Sequence, residues 1–175
     1  MRGKAMFVIG LETSGFVGSI ALLRDGQIVH EQSLGEAGRR HAQSLVHEIR
    51  ELLSLHSAKS KDVSLVAVSK GPGSFTGLRV GMVCAKTFAY ATGSQFAAID
   101  TFEVVANNCP GGVSEVWVVE NAQRGEFFAA KYQRQNDGCW IQMTPIQIVS
   151  APEWLTELSP DEVVTGPGLV GTEDW

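Results

Sequence analysis

The sequence predicts a mixed α/β fold built as two lobes. Three observations lead there. Short apolar runs of strand length alternate with two helical periodicities before residue 107; three strand-like runs open that part and three more open the remainder; and a cluster of turn formers, Asn107-Asn-Cys-Pro-Gly-Gly112, separates the two parts. The expected lobes are 1-106 and 107-175, related by an internal structural repeat.

Met6-Phe-Val-Ile-Gly-Leu-Glu12 is a nearly continuous apolar run that ends in Thr13-Ser14-Gly15, the pattern of a buried central strand and a tight turn. Val17 to Leu23 ends at Asp25-Gly26, a hairpin signal, and Gln27 to Leu34 completes a three-strand meander. Ala42, Leu45, Val46, Ile49, Leu52 and Leu53 then recur at spacings of three and four with His47, Glu48, Arg50 and Glu51 between them. That spacing predicts an amphipathic helix from about Arg39 to Leu55.

Ser64 to Ser69 supplies a fourth strand, Leu78 to Ala91 a second helix and Phe96 to Ile99 a short fifth strand. The order β-β-β-α-β-α-β requires helices to cover the parallel part of the sheet. Beyond Gly112 the pattern restarts. Val113 to Glu120, Glu126 to Gln133 and Trp140 to Val149 read as strands, with turns at Arg124-Gly125 and Asp137-Gly138, and after Pro152 to Leu158 one more strand-like stretch follows.

The 175 residues, 44% hydrophobic and 19% charged, suit a soluble globular protein with a sizeable core. A net charge of −5 without any Lys/Arg run argues against a chain that grips nucleic acid unaided, so any RNA partner is expected to need another subunit. Cys84, Cys109 and Cys139 form no C-x-x-C pair and are expected to be reduced, packed thiols, as in the cytoplasm. Arg2 and Lys4 precede the apolar run Ala5 to Leu11, but Glu12 interrupts it and no cleavage site follows, so a strand is expected there and no signal peptide. No stretch approaches the ~20 apolar residues of a membrane span.

The glycine-rich turn Gly71-Pro-Gly-Ser-Phe-Thr-Gly-Leu-Arg-Val-Gly81 is the expected functional centre. It fits neither G-x-G-x-x-G nor a P-loop, since no Lys follows, and Pro72 rules out a nucleophile elbow at Ser74. Gly71 and Gly73 allow close backbone approach, and Ser74 or Thr76 can cap the helix, whose N-terminus attracts anions. Further along, Gly77, Gly81, Ala85 and Ala89 fall four apart as a stripe of small residues, with Leu78, Val80, Met82, Val83, Phe88 and Tyr90 around the rest. A helix apolar almost all round is buried all round, so the stripe is expected to admit a partner helix. The alternative is a helix sandwiched between its own sheet and the first helix.

Glu12, Thr13 and Ser14 stand at the end of the first strand, where an acid and two hydroxyls can meet a phosphate or hydrated cation, but on the residues alone an exposed hairpin end is the expected reading. His30, His41, His47 and His56 offer no i, i+4 pair, and no metal site is expected. Glu115, Glu120, Arg124 and Glu126 read as strand-edge charges.

Ile9-Gly-Leu-Glu-Thr-Ser14, Val68-Ser-Lys-Gly-Pro-Gly-Ser-Phe-Thr-Gly-Leu-Arg-Val-Gly81 and Gly166-Pro-Gly168, in that order, resemble the TsaB (YeaZ) family. The middle motif carries the resemblance, which spans Met6 to about Leu169. It implies the actin-like ATPase, ribonuclease-H-like fold, with two lobes that each open on a three-strand meander. Family members continue well past the last motif, so the second lobe is expected to be short and to lack a final helix.

The resemblance further implies a scaffold role in making threonylcarbamoyladenosine in tRNA, beside a catalytic TsaD-like subunit and a TsaE-like ATPase, with a homodimer when the chain is alone. The catalytic relative carries a His-x-x-x-His pair after the strand that follows the second helix. Here Ala98 to Ala106 contains no histidine, so a non-catalytic subunit is expected. Family pairing through the first two helices places Leu45, Ile49, Gly77, Leu78, Gly81, Met82, Ala85 and Ala89 at the partner interface. Nucleotide or anion contacts fall to Glu12, Thr13, Ser14, Gly71, Gly73, Ser74 and Thr76. No cofactor is expected on the chain alone, and ATP or ADP with magnesium only in the complex.

Beside the short second lobe, two further departures stand out. Glu12 replaces the family's usual Asp and moves any phosphate contact, while Asn121-Ala-Gln123 and Phe127-Phe128 replace a charged and tyrosine-bearing pattern in the second lobe. The competing reading is an actin-like ATPase or phosphotransferase that uses Glu12-Thr13-Ser14 and the Gly71–Gly77 turn. A peptidase ranks lowest, because neither a zinc pair nor a Ser/His/Asp arrangement can be placed.

Overall fold

The computed structural model describes residues 5–36 and 41–170. Arg2, Lys4 and the expected helix start at Arg39 lie outside the described residues, as do the side chains of residues 35, 36 and 41–44. The chain divides into two compact units, Met1–Ile99 and Asp100–Trp175.

The first unit opens with the meander β1 (Phe7–Glu12), β2 (Val17–Arg24) and β3 (Gln27–Glu36). Asp25 and Gly26 make the β2–β3 turn with φ of 51° and 82°, the left-handed pair that matches strand twist in a two-residue hairpin. α1 (His41–Leu55), β4 (Val63–Ser69), α2 (Phe75–Thr92) and β5 (Gln95–Ile99) follow. The sheet order is β3-β2-β1-β4-β5, with β1, β4 and β5 parallel and β2 antiparallel to β1. This is the topology expected of a ribonuclease-H-like lobe. Alternate residues of β1, β2 and β4 send Phe7, Ile9, Leu11, Ile20, Leu22, Val66 and Val68 to one buried face, where they meet Leu45, Ile49, Leu52 and Leu53 of α1 and Ala85 of α2.

The second unit repeats the plan. β6 (Glu115–Gln123), β7 (Glu126–Arg134) and β8 (Trp140–Gln142) form the meander, and β10 (Val164–Thr165) lies parallel beside β6 as β4 lies beside β1. Both parallel neighbours run into a Gly-Pro-Gly turn, Gly71–Gly73 after β4 and Gly166–Gly168 after β10. α3 (Thr101–Asn107) and α4 (Ala151–Glu157) fill two separate clusters, one around Phe102, Ala106 and Tyr132, the other around Phe127, Ala151 and Trp154.

Several expectations change. The boundary falls at Ile99/Asp100 and not at 106/107, because Phe102 and Ala106 of α3 are wholly buried in the second unit's core. The turn formers at 107–112 therefore connect α3 to β6 inside one unit. The single strand read from Trp140 to Val149 is two: β8 and β9 (Gln147–Ser150) pair with different ends of β7. Thr144-Pro145 interrupts them, and a proline cannot donate to a ladder. Of the three thiols, Cys84 and Cys109 are half-buried but Cys139 is exposed, so only two are packed.

Candidate functional site

The glycine-rich turn and the end of β1 are built against each other. Thr13 and Ser14 are buried, at 0% and 3% exposure, so the turn after β1 is not an exposed hairpin end. Glu12 folds back over it: its Oε1 accepts from the Ser14 amide and, at 2.5 Å, from Ser14 Oγ. Ser14 in turn offers its carbonyl to the Ser74 amide at 2.7 Å. Gly73, at φ 153°, comes so close that a β-carbon there would lie 2.6 Å from Ser14 Cβ and 2.7 Å from Ser14 O.

Ser74 is the N-cap of α2. Its Oγ accepts from the Gly77 amide at 3.2 Å and its carbonyl from the Leu78 amide at 2.8 Å, so the helix begins at Phe75, three residues earlier than Leu78. Thr76 is exposed and Gly71 is buried against Leu78.

This geometry tests the residues against a bound phosphate. The close approach that Gly73 permits is taken by Ser14, the Ser74 amide is spent on the Ser14 carbonyl, and the Gly77 amide is spent on the cap. Glu12 places its carboxylate on the same turn. Within the first unit Ser14, Gly73, Ser74 and Gly77 lock strand end to helix start.

The small-residue stripe faces inward. Gly77, Gly81, Ala85 and Ala89 are the buried residues of α2. A β-carbon at Gly77 would overlap the Thr13 carbonyl oxygen, and one at Gly81 would collide with Thr13 Oγ1 and lie 3.2 Å from Val68 Cγ2. Gly77 and Gly81 thus serve α2's own packing on the turn after β1 and on β4, Ala85 belongs to the same core and Ala89 is buried, so the expectation that the stripe receives a partner is corrected. Leu78 and Met82 are half-buried, and Leu45 and Ile49 belong to the core while also lining the groove between α1 and α2.

The face available to a partner lies opposite. Phe75, Arg79, Val83 and Thr87 also fall four apart, offset from the stripe by two residues, which is about 200° around a helix of 3.6 residues per turn. Phe75 is 74% exposed, Val83 65% and Val46 of α1 68%. Between α1 and α2 they edge a groove of about 800 Å³, with Leu45, Ile49, Val80 and Phe88 also in its lining. Its charged lining residues are Arg50 and Arg79, and the Arg79 guanidinium stands 5.3 Å from the Phe75 ring centroid. The half-buried Cys84 also lines it, its thiol pushed up by burial and so a poor nucleophile. Sequence reasoning missed Phe75 and Val83 of α2 and Val46 of α1 as surface groups because it looked for the interface along the small-residue stripe.

The second unit has its own charged cluster. Lys131 Nζ reaches Glu115 at 3.0 Å and Glu162 at 3.2 Å, and the Trp117 indole donates to Glu162 Oε1 at 2.9 Å. In the middle of β6, beside Glu120 and Asn121, a β-carbon on Gly166 would overlap the Val119 carbonyl. The Gly-Pro-Gly turn of the first unit thus packs on Ser14 just past β1, and that of the second on Val119 and Glu120 within β6.

Comparison with known proteins gives a consistent result. The family model described as "TsaD: tRNA N6-adenosine threonylcarbamoyltransferase" matches residues 28–145. The tRNA threonylcarbamoyladenosine biosynthesis protein TsaB of Bacillus subtilis is 30% identical over 153 residues, 87% of this chain and 66% of that protein. TsaB of Escherichia coli is 28% identical over 169 residues, 93% of this chain and 72% of that protein. The chain thus spans about two thirds of the length of the curated relatives it matches. The solved structure of YeaZ from Pseudomonas aeruginosa superposes with a TM-score of 0.74 at 25% identity, over 83% of this chain and 68% of that one. With two meander-led α/β units of actin-like, ribonuclease-H-like topology and these matches along most of its length, the chain belongs to the TsaD family and, within it, to the TsaB (YeaZ) group.

Proposed function

We propose that this chain is a docking subunit in the formation of threonylcarbamoyladenosine in tRNA, and that it binds a TsaD-like catalytic subunit through the groove between α1 and α2. The observation that carries the proposal is the exposure of Val46, Phe75 and Val83 along one apolar groove, while every small residue of α2's stripe is already used inside the unit. Apolar groups gathered at one surface are characteristic of an interface. Burying Phe75 and Val83 supplies about 1.5–3 kcal/mol each. The names of the relatives supply the pathway.

A TsaE-like ATPase and tRNA meet the chain in the assembled complex, in keeping with its net charge of −5. The chain itself is non-catalytic, a cytoplasmic protein that pairs with a second copy when the catalytic subunit is missing. No helix among the described residues is long and apolar enough to cross a membrane. ATP or ADP with magnesium belongs to the complex and not to the Gly71–Gly77 turn, where the Ser74 and Gly77 amides are engaged internally.

The test is co-purification with the TsaD-like subunit of the same genome. Val83→Glu, on the exposed face, is expected to abolish co-purification and to fail to restore threonylcarbamoyladenosine in a strain lacking the chain, with the thermal melt unchanged. Full binding by this variant would refute the docking role.

A further inference from the structure

The groove carries charge of one sign, and that decides what it accepts. Its lining contains Arg50 and Arg79 and no carboxylate, and α2 carries Arg79 and Lys86 with no acidic residue anywhere along it. Among the described residues neither guanidinium forms an ion pair: the pairs present involve Arg24 and Lys131. Arg79 is also set against the Phe75 ring, which holds a planar, permanently charged fork at the groove wall, the geometry suited to a carboxylate.

Pairing of two copies through this groove would be isologous, with the same patch on both sides. It would bring cations together with no carboxylate in either lining to answer them. Two copies, each at −5, also repel at long range. A different partner escapes the clash of cations in the groove if its helical face is apolar and edged with carboxylates.

We infer that Arg50 and Arg79 are selectivity residues, which favour a heterologous partner presenting Glu or Asp beside an apolar helix face and disfavour a second copy of this chain. This inference rests on the docking role of the groove, and its consequence is directional. Salt should act oppositely on the two assemblies, because it screens an attraction in one and a repulsion in the other.

The experiment measures self-association by sedimentation and binding to the TsaD-like subunit by titration, on the full chain. From about 0.01 M to about 0.15 M salt, where the screening length falls from about 30 Å to about 8 Å, heterologous binding should weaken and self-association strengthen. The variant R50Q/R79Q should bind the heterologous subunit about tenfold more weakly at low salt and self-associate more strongly. An equimolar mixture of wild type and R50E/R79E should pair more tightly than either alone. Equal salt dependence of both assemblies, or unchanged heterologous binding by R50Q/R79Q, overturns the inference while Val83→Glu still shows the groove to be the docking site. If Val83→Glu binds normally, the docking role fails and the inference falls with it. Melting curves confirm that each surface variant folds.

Discussion

The backbone carbonyl of Thr13 stands where a side chain at Gly77 would begin. The turn that ends β1 is wedged against the first two turns of α2, and the helix can lie there only because positions 77 and 81 carry no side chain. Gly77→Ala should therefore destabilise the protein even though Ala is the better helix former by about 1 kcal/mol. Overpacking against backbone should outweigh that gain, for a net loss of about 2 kcal/mol and a Tm lower by about 5–10 °C. Gly15→Ala is the control. A β-carbon there meets nothing nearer than 3.6 Å, so its melt should shift by no more than the equivalent of about 0.5 kcal/mol. Equal melts for the two variants would show that the junction can relax.

The same wedge contains an orphan. Thr13 Oγ1 is buried at Gly81 and has no hydrogen-bond partner, a desolvation cost the fold carries in its centre. Thr13→Val keeps the shape and removes the hydroxyl. It should leave stability unchanged or raise it by about 1 kcal/mol in urea unfolding. A loss of more than about 1 kcal/mol would mean that the hydroxyl is satisfied in solution.

Much of this fold is legible in the amino-acid sequence. Both meanders, α1, β4, α2 and β5 follow from period-2 and period-3.6 patterns, and the repeated plan from their recurrence. The direction of the stripe is not legible. Leu78, Val80, Met82, Val83 and Phe88 spread around the circumference of α2 and draw attention from Thr76, Arg79, Lys86 and Thr87, which share one exposed face; the collision of Gly77 and Gly81 with Thr13 then fixes the opposite face as the inside. α3 escapes the sequence reading although it has a signal. Asp100 and Glu103 are spaced as a capping pair, and Asp100 Oδ1 does accept from the amides of Phe102 and Glu103, at 2.9 and 3.2 Å. The conspicuous glycines and proline at 107–112 draw the expected boundary past α3, which belongs to the second unit.

Glu162 links acid stability to the second unit. The Trp117 indole, the Ser159 amide and Lys131 all hold its carboxylate below the ordinary range, in that order of effect. Lys131 and Gln133 do the same for Glu115. A carboxyl whose pKa is depressed in the folded state contributes stability that is present above its unfolded pKa and lost as pH falls through the folded one. Wild type should therefore lose stability below about pH 5 more steeply than Glu162→Gln, and the two denaturation midpoints should converge in acid. Parallel curves would show that Glu162 makes no net contribution.

Tyr132 sets the alkaline limit by the opposite sign. Its phenol donates to Asp100 Oδ1 at 3.1 Å, and burial first, then the Asp100 charge, pushes its ionisation well above the ordinary value. The folded protein thus keeps a proton that the unfolded chain releases near pH 10. Stability from this group is complete below that pH and declines as pH rises above it. Tyr132→Phe loses the hydrogen bond but leaves Asp100 its two backbone donors, so at neutral pH it should cost only about 1 kcal/mol. Above about pH 10 the deficit should shrink and then reverse, since phenylalanine has no proton to lose. Urea midpoints for the pair across that range decide the matter: a constant difference would mean that Tyr132 ionises in the folded state as easily as in the unfolded chain.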